Sequence, residues 1–391
     1  MLNILRRAWR RRPRLPVEGF TFGRPLVLLQ SDDWGRVGVR DREGWEELRS
    51  LGVNLGEHSY DFYSLETAED VAAVASLLQR HRDSAGQPAC LGMNFIVANV
   101  DFAEVKADEY RGIHLRPLAE GLPDGWNRPG LFEAYREGIS AGVFSPAMHG
   151  TTHFCRPVVE RHLQDPGERG VLLRNLWKAG VPYIHWRMPW IGFEYWDPDQ
   201  AKPDFLTPEV QQGLMDSAVE GFTRFFCDAP RSACAPGYRA NRSTHETWAK
   251  HGIQVAQNGP GGAMPPHFDR NGILHLHRSM DFEPASGPNF SVDSCLRVAE
   301  DCFERGVPAI VSVHSINFHS TLKDFRSRTV TLLDEFLTAL EAKRPDLLYV
   351  RDVDLYDVVD KGVLCSSQST VRVPVRKKKF MKSALAGGFE T

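Results

Sequence analysis

The sequence predicts an α/β protein built as a barrel of β/α units, and three observations carry that prediction. Short apolar runs of strand length alternate with helical stretches along nearly the whole of the 391 residues. Three of these runs stop at polar signatures far apart in the chain: Ser31-Asp32-Asp33-Trp34, His149-Gly150-Thr151-Thr152-His153 and Val313-His314-Ser315. No internal repeat and no linker divides the chain into two domains. Chemistry at the ends of several separate strands is how a β/α barrel assembles a site.

The elements follow in order. Leu26 to Gln30 reads as the first strand, followed by helices at Arg42 to Ser50 and Ala68 to His81, the latter with apolar residues at helical spacing. Leu91 to Ala98 is a strand, 131–141 a helix and Val143 to Met148 a strand. Pro208 to Phe226 is helical and leads to a strand at Ser232 to Ala235; a helix at Thr244 to His251 leads to a strand at Gln254 to Ala256. Ile273 to Leu276, Ala309 to Val313 and Leu347 to Val350 complete the strands, with helices near 291–305 and 326–342. This amounts to about eight β/α steps.

Composition narrows the class. With 42% hydrophobic and 25% charged residues the chain can bury a large core, and neither disorder nor a fibrous repeat is indicated. No apolar run reaches the length of a spanning helix, and Met1 to Arg14 lacks the apolar core of a signal peptide, so a cytoplasmic location is expected. The seven cysteines are scattered without a Cys-x-x-Cys, which argues for reduced thiols and against a thiolate metal site. Arg6, Arg7, Arg10, Arg11, Arg12 and Arg14 at one end and Arg372, Arg376, Lys377, Lys378, Lys379 and Lys382 at the other flank an acidic body. The basic ends could touch anionic lipid at the inner membrane face, with Leu2, Ile4, Leu5 and Trp9 adding an apolar side; the acidic body excludes a general nucleic-acid binder.

The signatures supply the chemistry. Asp32 and Asp33 at a strand end would point in different directions, so one could bind metal while its neighbour faces substrate; an ordinary turn or helix cap has the same look. His149 and His153 are spaced i, i+4, which on a helical turn or tight loop turns both imidazoles the same way, as a pair of metal ligands requires. Two imidazoles and a carboxylate leave coordination positions open, the arrangement of a catalytic site. His314 ends a mostly apolar strand, where packing explains an imidazole poorly, and Asn317 and His319 lie close by.

In this order, Asp-Asp, then His-x-x-x-His, then Ala235-Pro236-Gly237-Tyr238 after a strand, then a late strand ending in His, the chain resembles the polysaccharide deacetylases of the NodB-homology type, carbohydrate esterase family 4. The resemblance runs from about Pro25 to Val359 and takes in Gly142-Val143 and the Leu-His-Leu-His stretch around His275 and His277. It implies an irregular, NodB-like (β/α) barrel of seven to eight strands at 21–362, between a basic arm at 1–20 and a basic tail at 363–391. It further implies one divalent metal, zinc first and cobalt, nickel or manganese as alternatives, held by Asp33, His149 and His153. Asp32 would be the base, His314 the acid, and a backbone N–H of Gly237 or Tyr238 an oxyanion donor. Trp34 and Asn317 join Gly237 and Tyr238 as expected substrate contacts.

The chain departs from the family pattern at three places. Cys234 stands where many members carry the arginine that orients the base; Arg239, Arg242 or Arg36 could supply that cation, and Arg239 ranks first. Gly150 replaces a frequent Ser or Thr. An aromatic insertion around 155–207 carries Tyr183, His185, Trp186, Arg187, Trp190, Phe193, Tyr195 and Trp196; Trp186 and Trp190 read either as a sugar-stacking wall or lid or as part of an aromatic patch that closes the barrel or buries a subunit contact. Glu57-His58, after Val53 to Leu55, reads as a polar loop, with a strand-end pair near the site as the alternative. The resulting expectation is a metal-dependent deacetylase acting on an N-acetylated polysaccharide or amino-sugar glycan. An O-acetyl esterase is the nearest variant; the alternatives are a hydrolase of a non-sugar amide and a non-catalytic carbohydrate-binding or assembly subunit.

Overall fold

The computed structural model describes residues 15–365 and 370–382. Its main sheet uses the strands expected from the sequence. In chain order, the strands of that sheet and of the pair formed by the chain ends are β1 (Leu15–Phe22), β2 (Leu26–Trp34), β3 (Leu91–Phe95), β4 (Phe144–Met148), β5 (Ser232–Cys234), β6 (Val255–Pro260), β7 (His267–Phe268), β8 (Leu274–Arg278), β9 (Met280–Asp281), β10 (Ala309–His314), β11 (Leu348–Tyr349) and β12 (Val375–Lys382).

The main sheet runs β7-β8-β6-β5-β4-β3-β2-β10-β9, with β11 pairing the start of β2. Every pair in it is parallel except β7 with β8. One stretch of chain closes it. β8 pairs with β6, and after Ser279 the same strand resumes as β9 on the far side of β10, with the Ser279 N–H donating to the Ile310 carbonyl at 2.8 Å. The result is a distorted barrel whose break falls at Arg278 and Ser279. Strands buried on both faces need continuous apolar sequence, which is why Leu26 to Leu29 and Ala309 to Val311 read so clearly.

Helices cover the outside. Arg42–Ser50 and Pro208–Phe226 fall on the expected bounds, Ala68–Arg80 within one residue of them, and Asp41, Thr67 and Thr207 cap their N-termini with side-chain oxygens. Four further helices were not expected from the sequence: Phe102–Ala107 after β3, Arg156–Leu163 and Glu168–Lys178 inside the aromatic insertion, and Asp352–Lys361 after β11. No helix among the described residues is long and apolar enough to cross a membrane.

Parts of the stretches expected as basic arm and basic tail pair with each other. β1 and β12 form an antiparallel pair from Leu15↔Lys382 to Phe22↔Val375, and Phe20 and Phe22 are buried against the barrel. Burying these phenylalanines favours docking of a strand that its basic partner made look like a solvated tail. Arg376, Lys377, Lys378 and Lys379 are exposed on that pair, while Arg6, Arg7, Arg10, Arg11, Arg12 and Arg14 lie outside the described residues.

Candidate metal and hydrolytic site

The aspartates sit where β2 loses register with β3, between Ser31 and Trp34. Asp33 takes φ 74, a left-handed conformation uncommon for a residue with a Cβ. Hydrogen bonds to its carbonyl from Tyr63 Oη at 2.6 Å and Ser315 Oγ at 3.3 Å hold it there. The irregularity re-aims both carboxylates inward instead of letting them alternate. Both are buried.

His149 follows β4 and His153 lies four residues on, in a loop and not on a helix. Gly150 adopts φ 97, and a Cβ there would stand 1.8 Å from Glu194 Oε2, so only glycine fits. Glu194, fully buried, accepts from the N–H groups of Thr151 at 2.8 Å and Thr152 at 3.0 Å and so clamps the histidine loop. Burial raises its pKa to about 8 against the opposing pull of those N–H groups.

The ligand atoms of Asp33, His149 and His153 lie within 4.8 Å of one another, with Asp33 Oδ1 3.7 Å from His149 Nε2 and 3.4 Å from His153 Nε2. Asp33 Oδ1 and His149 Nε2 are buried and have no hydrogen-bond partner among the described residues. His149 Nδ1 lies 2.8 Å from the Cys234 carbonyl, which makes it the N–H and leaves Nε2 as the electron-pair donor. Burial, opposed by Asp33, keeps His153 well below the usual histidine range and therefore neutral. For Asp33 burial works toward neutralisation, but the charge of Arg36, whose Nη2 is 3.3 Å from Oδ2, outweighs it and keeps the carboxyl ionised. The donor set fits a divalent ion of the first transition row.

Asp32 is held differently. Arg278 grips it with two charge-assisted bonds, Nη1 to Oδ2 at 2.7 Å and Nη2 to Oδ1 at 2.6 Å, and Asn94 Nδ2 donates to Oδ1 at 2.6 Å. Burial would raise this pKa, yet the charge and hydrogen bonds of Arg278, and then His314, hold it well below the usual carboxylate range. Arg278 is itself wholly buried and also donates to Tyr238 Oη at 2.6 Å and Ser312 Oγ at 2.8 Å. The cation at Asp32 is thus Arg278 and not Arg239, which lies over the Trp196 ring, its guanidinium carbon 5.2 Å from the ring centre. Strand alternation explains the choice: Arg278 shares the inward face of β8 with Leu274 and Leu276. Cys234 sits 3.8 Å from Arg278 Nη2, a thiol that burial and then Asp32 keep protonated.

His314, the last residue of β10, is the register partner of Asp32, with Nε2 3.8 Å from Asp32 Oδ2. Its Nδ1 is 2.6 Å from Glu283 Oε1. Burial lowers the imidazole pKa, but the charge and hydrogen bond of Glu283 more than offset this and lift it to about 9. The ring is a cation at neutral pH.

These groups face a cavity of about 310 Å³ walled by His58, Tyr60, Tyr63, Tyr183, Trp186 and Phe193. Gly237 and Tyr238 also line it, but the Tyr238 N–H is spent on the Ala235 carbonyl at 2.8 Å. Three expected contacts lie elsewhere. Trp34 is buried in the core, its Nε1 donating to Ser31 Oγ at 2.8 Å. Asn317 is buried and bridges Glu283 and the Ala285 N–H. Trp190 packs on His162 and Arg169 along the paired helices of the insertion. Aromatic content marked the right segment but could not say which rings turn inward. His58, read as part of a loop, does line the cavity.

Sequence reasoning also missed Asp61. Its carboxylate accepts from Trp186 Nε1 and Arg187 Nε, both at 2.9 Å, and from Arg187 Nη2 and the backbone of Gly56 and Glu57, also at 2.9 Å. It ties the 56–63 segment to the aromatic insertion across the cavity. Nothing in a Tyr-Asp-Phe triplet signals this.

No protein-family profile matches the chain, and no curated protein matches it. Solved structures align with it at low similarity. They include a candidate polysaccharide deacetylase from Mycobacterium smegmatis (11% identity, TM-score 0.46, covering 86% of this chain and 90% of that one). A family 4 carbohydrate esterase from Streptomyces lividans in complex with acetate also aligns (11%, 0.35, 84% and 92%), as does an allantoinase (11%, 0.41, 85% and 89%). Others include an α-amylase from Thermotoga maritima (8%, 0.42, 85% and 74%) and a 4-α-glucanotransferase from Thermococcus litoralis (9%, 0.44, 85% and 40%), so these low-identity neighbours carry several different activities. The fold is mixed α/β with a largely parallel sheet.

Proposed function

We propose that the chain is a metal-dependent hydrolase that removes acetyl groups, N-acetyl before O-acetyl, from an amino-sugar glycan. The observation that carries this reading is the juxtaposition of two separately tuned carboxylates. Asp33 shares its free oxygen with two imidazole donors, while Asp32, one residue away, is locked by Arg278 opposite the cationic His314. A divalent ion held by Asp33, His149 and His153 would polarise the acyl carbonyl and acidify a water. One such ion is expected; the donor set admits zinc, cobalt, nickel or manganese.

The chain's own groups do the rest. Asp32, ionised throughout the neutral range, accepts the proton of the attacking water. His314 gives its Nε2 proton to the leaving amine nitrogen, and Glu283 stabilises the ring in its charged form before that transfer. The Gly237 N–H is the remaining backbone donor for the developing oxyanion, since that of Tyr238 is committed. Trp186, Tyr60 and Tyr183 give the cavity an aromatic wall against which a pyranose ring could pack. The small cavity favours a single sugar residue, or a compact non-sugar amide in the second reading, over a long stretch of polymer.

The test is acetate release from N-acetylated amino-sugar oligomers by metal-loaded protein. Asp32→Asn should abolish release while the ion at Asp33, His149 and His153 stays, and Asp33→Ala should remove both that ion and the release. Metal-loaded wild-type protein that frees no acetate from any such oligomer would sink the glycan reading.

A further inference from the structure

We infer that His245, Asp269 and His275 form a second divalent-metal site, separate from the cavity, that pins a surface helix to the edge of the barrel. The three come from different elements: His245 from the helix Arg242–Lys250, Asp269 from the turn after β7, and His275 from β8. Their ligand atoms lie within 4.8 Å of one another, and His245 and His275 are buried.

The geometry matches the first site. Asp269 Oδ2 stands 3.6 Å from His275 Nε2, against 3.4 and 3.7 Å for Asp33 Oδ1 and its two imidazoles. That is too long for a good hydrogen bond. It is close to the separation of about 3.3 Å between two ligands that share a tetrahedral ion at about 2.0–2.1 Å. The His245 and His275 rings meet edge to face at 85° with centres 4.7 Å apart, which brings their ring nitrogens together beside Asp269.

Asp269 is prepared for such a role. Its Oδ1 accepts from the N–H groups of Asn271 at 2.8 Å and Ile273 at 3.0 Å, and Asn271 Nδ2 donates to Oδ2 at 3.0 Å. The carboxylate is therefore oriented by its own turn, as the supporting contacts of a metal ligand require. His267 stacks on His275 with ring centres 5.5 Å apart and fixes its plane.

Strand alternation keeps the sites apart. Arg278 shares the inward face of β8 with Leu274 and Leu276, so His275 and His277 point outward, toward the helix that carries His245. Two imidazoles and a carboxylate select a borderline ion such as zinc, cobalt or nickel over calcium or magnesium. Burying the ion between helix and strand would make it structural.

The experiment strips full-length protein with chelator, dialyses it against zinc chloride and measures bound zinc by mass spectrometry. Zinc retained in Asp33→Ala but reduced by one equivalent in Asp269→Asn relative to wild type supports the site. Zinc content indifferent to Asp269→Asn, in protein whose circular dichroism matches wild type, overturns it. Should Asp269→Asn fail to fold, Asp33→Ala decides alone: one remaining equivalent that raises its melting temperature supports the site, and none overturns it. Loss in Asp33→Ala with no change in Asp269→Asn would leave the hydrolytic reading intact and refute this one.

Discussion

Arg278 and Asp32 are joined by two parallel charge-assisted bonds, 2.7 and 2.6 Å long, although 246 residues separate them in the chain. The pair is shielded from solvent, so neither charge is supportable without the other. Arg278→Met is expected to cost ~3–5 kcal/mol of stability by leaving Asp32 buried and unpaired. Arg278→Lys should keep more of the fold but misplace Asp32, lowering kcat by about 10²-fold with bound metal unchanged. Arg239→Ala should leave kcat near wild type. Denaturant melts and steady-state kinetics on the three variants check this.

His314 owes its charge to Glu283. With Glu283→Gln the imidazole pKa should fall from about 9 toward the ordinary 6.5. The general acid must be protonated, so activity is lost as pH rises through its pKa. The alkaline limb of the kcat/KM profile should therefore move down by about two pH units while the acid limb holds. A profile that keeps its alkaline limb would remove His314 from the acid role.

Glu194 predicts a pH dependence of stability. Its folded-state pKa of about 8 lies above the unbound value of 4.5. Its contribution is accordingly fully present below about 4.5 and is lost as pH rises through about 8. Glu194→Gln, which mimics the neutral acid, should flatten that loss and melt higher than wild type near pH 9, as scanning fluorimetry across pH would report. Gly150→Ala should weaken the same loop by pushing a Cβ into Glu194.

Asp61 holds both walls of the cavity. Asp61→Asn should loosen Trp186 and Arg187, raising KM several-fold with a smaller change in kcat. Trp186→Ala should do likewise, whereas Trp190→Ala should leave KM unchanged because that ring packs on His162 away from the cavity. Equal effects of the two tryptophans would contradict the assignment of the wall.

The strand list, the order of the signatures and the convergence of Asp33, His149 and His153 were legible in the sequence. Parallel strands buried on both faces must be written as continuous apolar runs, and a polar group at the end of such a run is conspicuous. Trp34, Asn317 and Trp190 misled because residue type and proximity in sequence do not report which way a ring or amide turns. Glu283 and Glu194 were silent for a related reason: a lone glutamate in a loop looks solvated until the fold buries it.

The sequence by itself determined which strands carry chemistry and which residue types stand at their ends. Tertiary structure decided which group serves which partner. Cys234 looked like a missing cation because the sequence could show only the position where an arginine was expected. The barrel closes through Leu274–Arg278 and Met280–Asp281, and the inward face of that strand delivers Arg278 to Asp32 from another part of the chain. Charge pairing inside a barrel depends on which strands become neighbours and which face each residue takes, and only closure of the sheet fixes both.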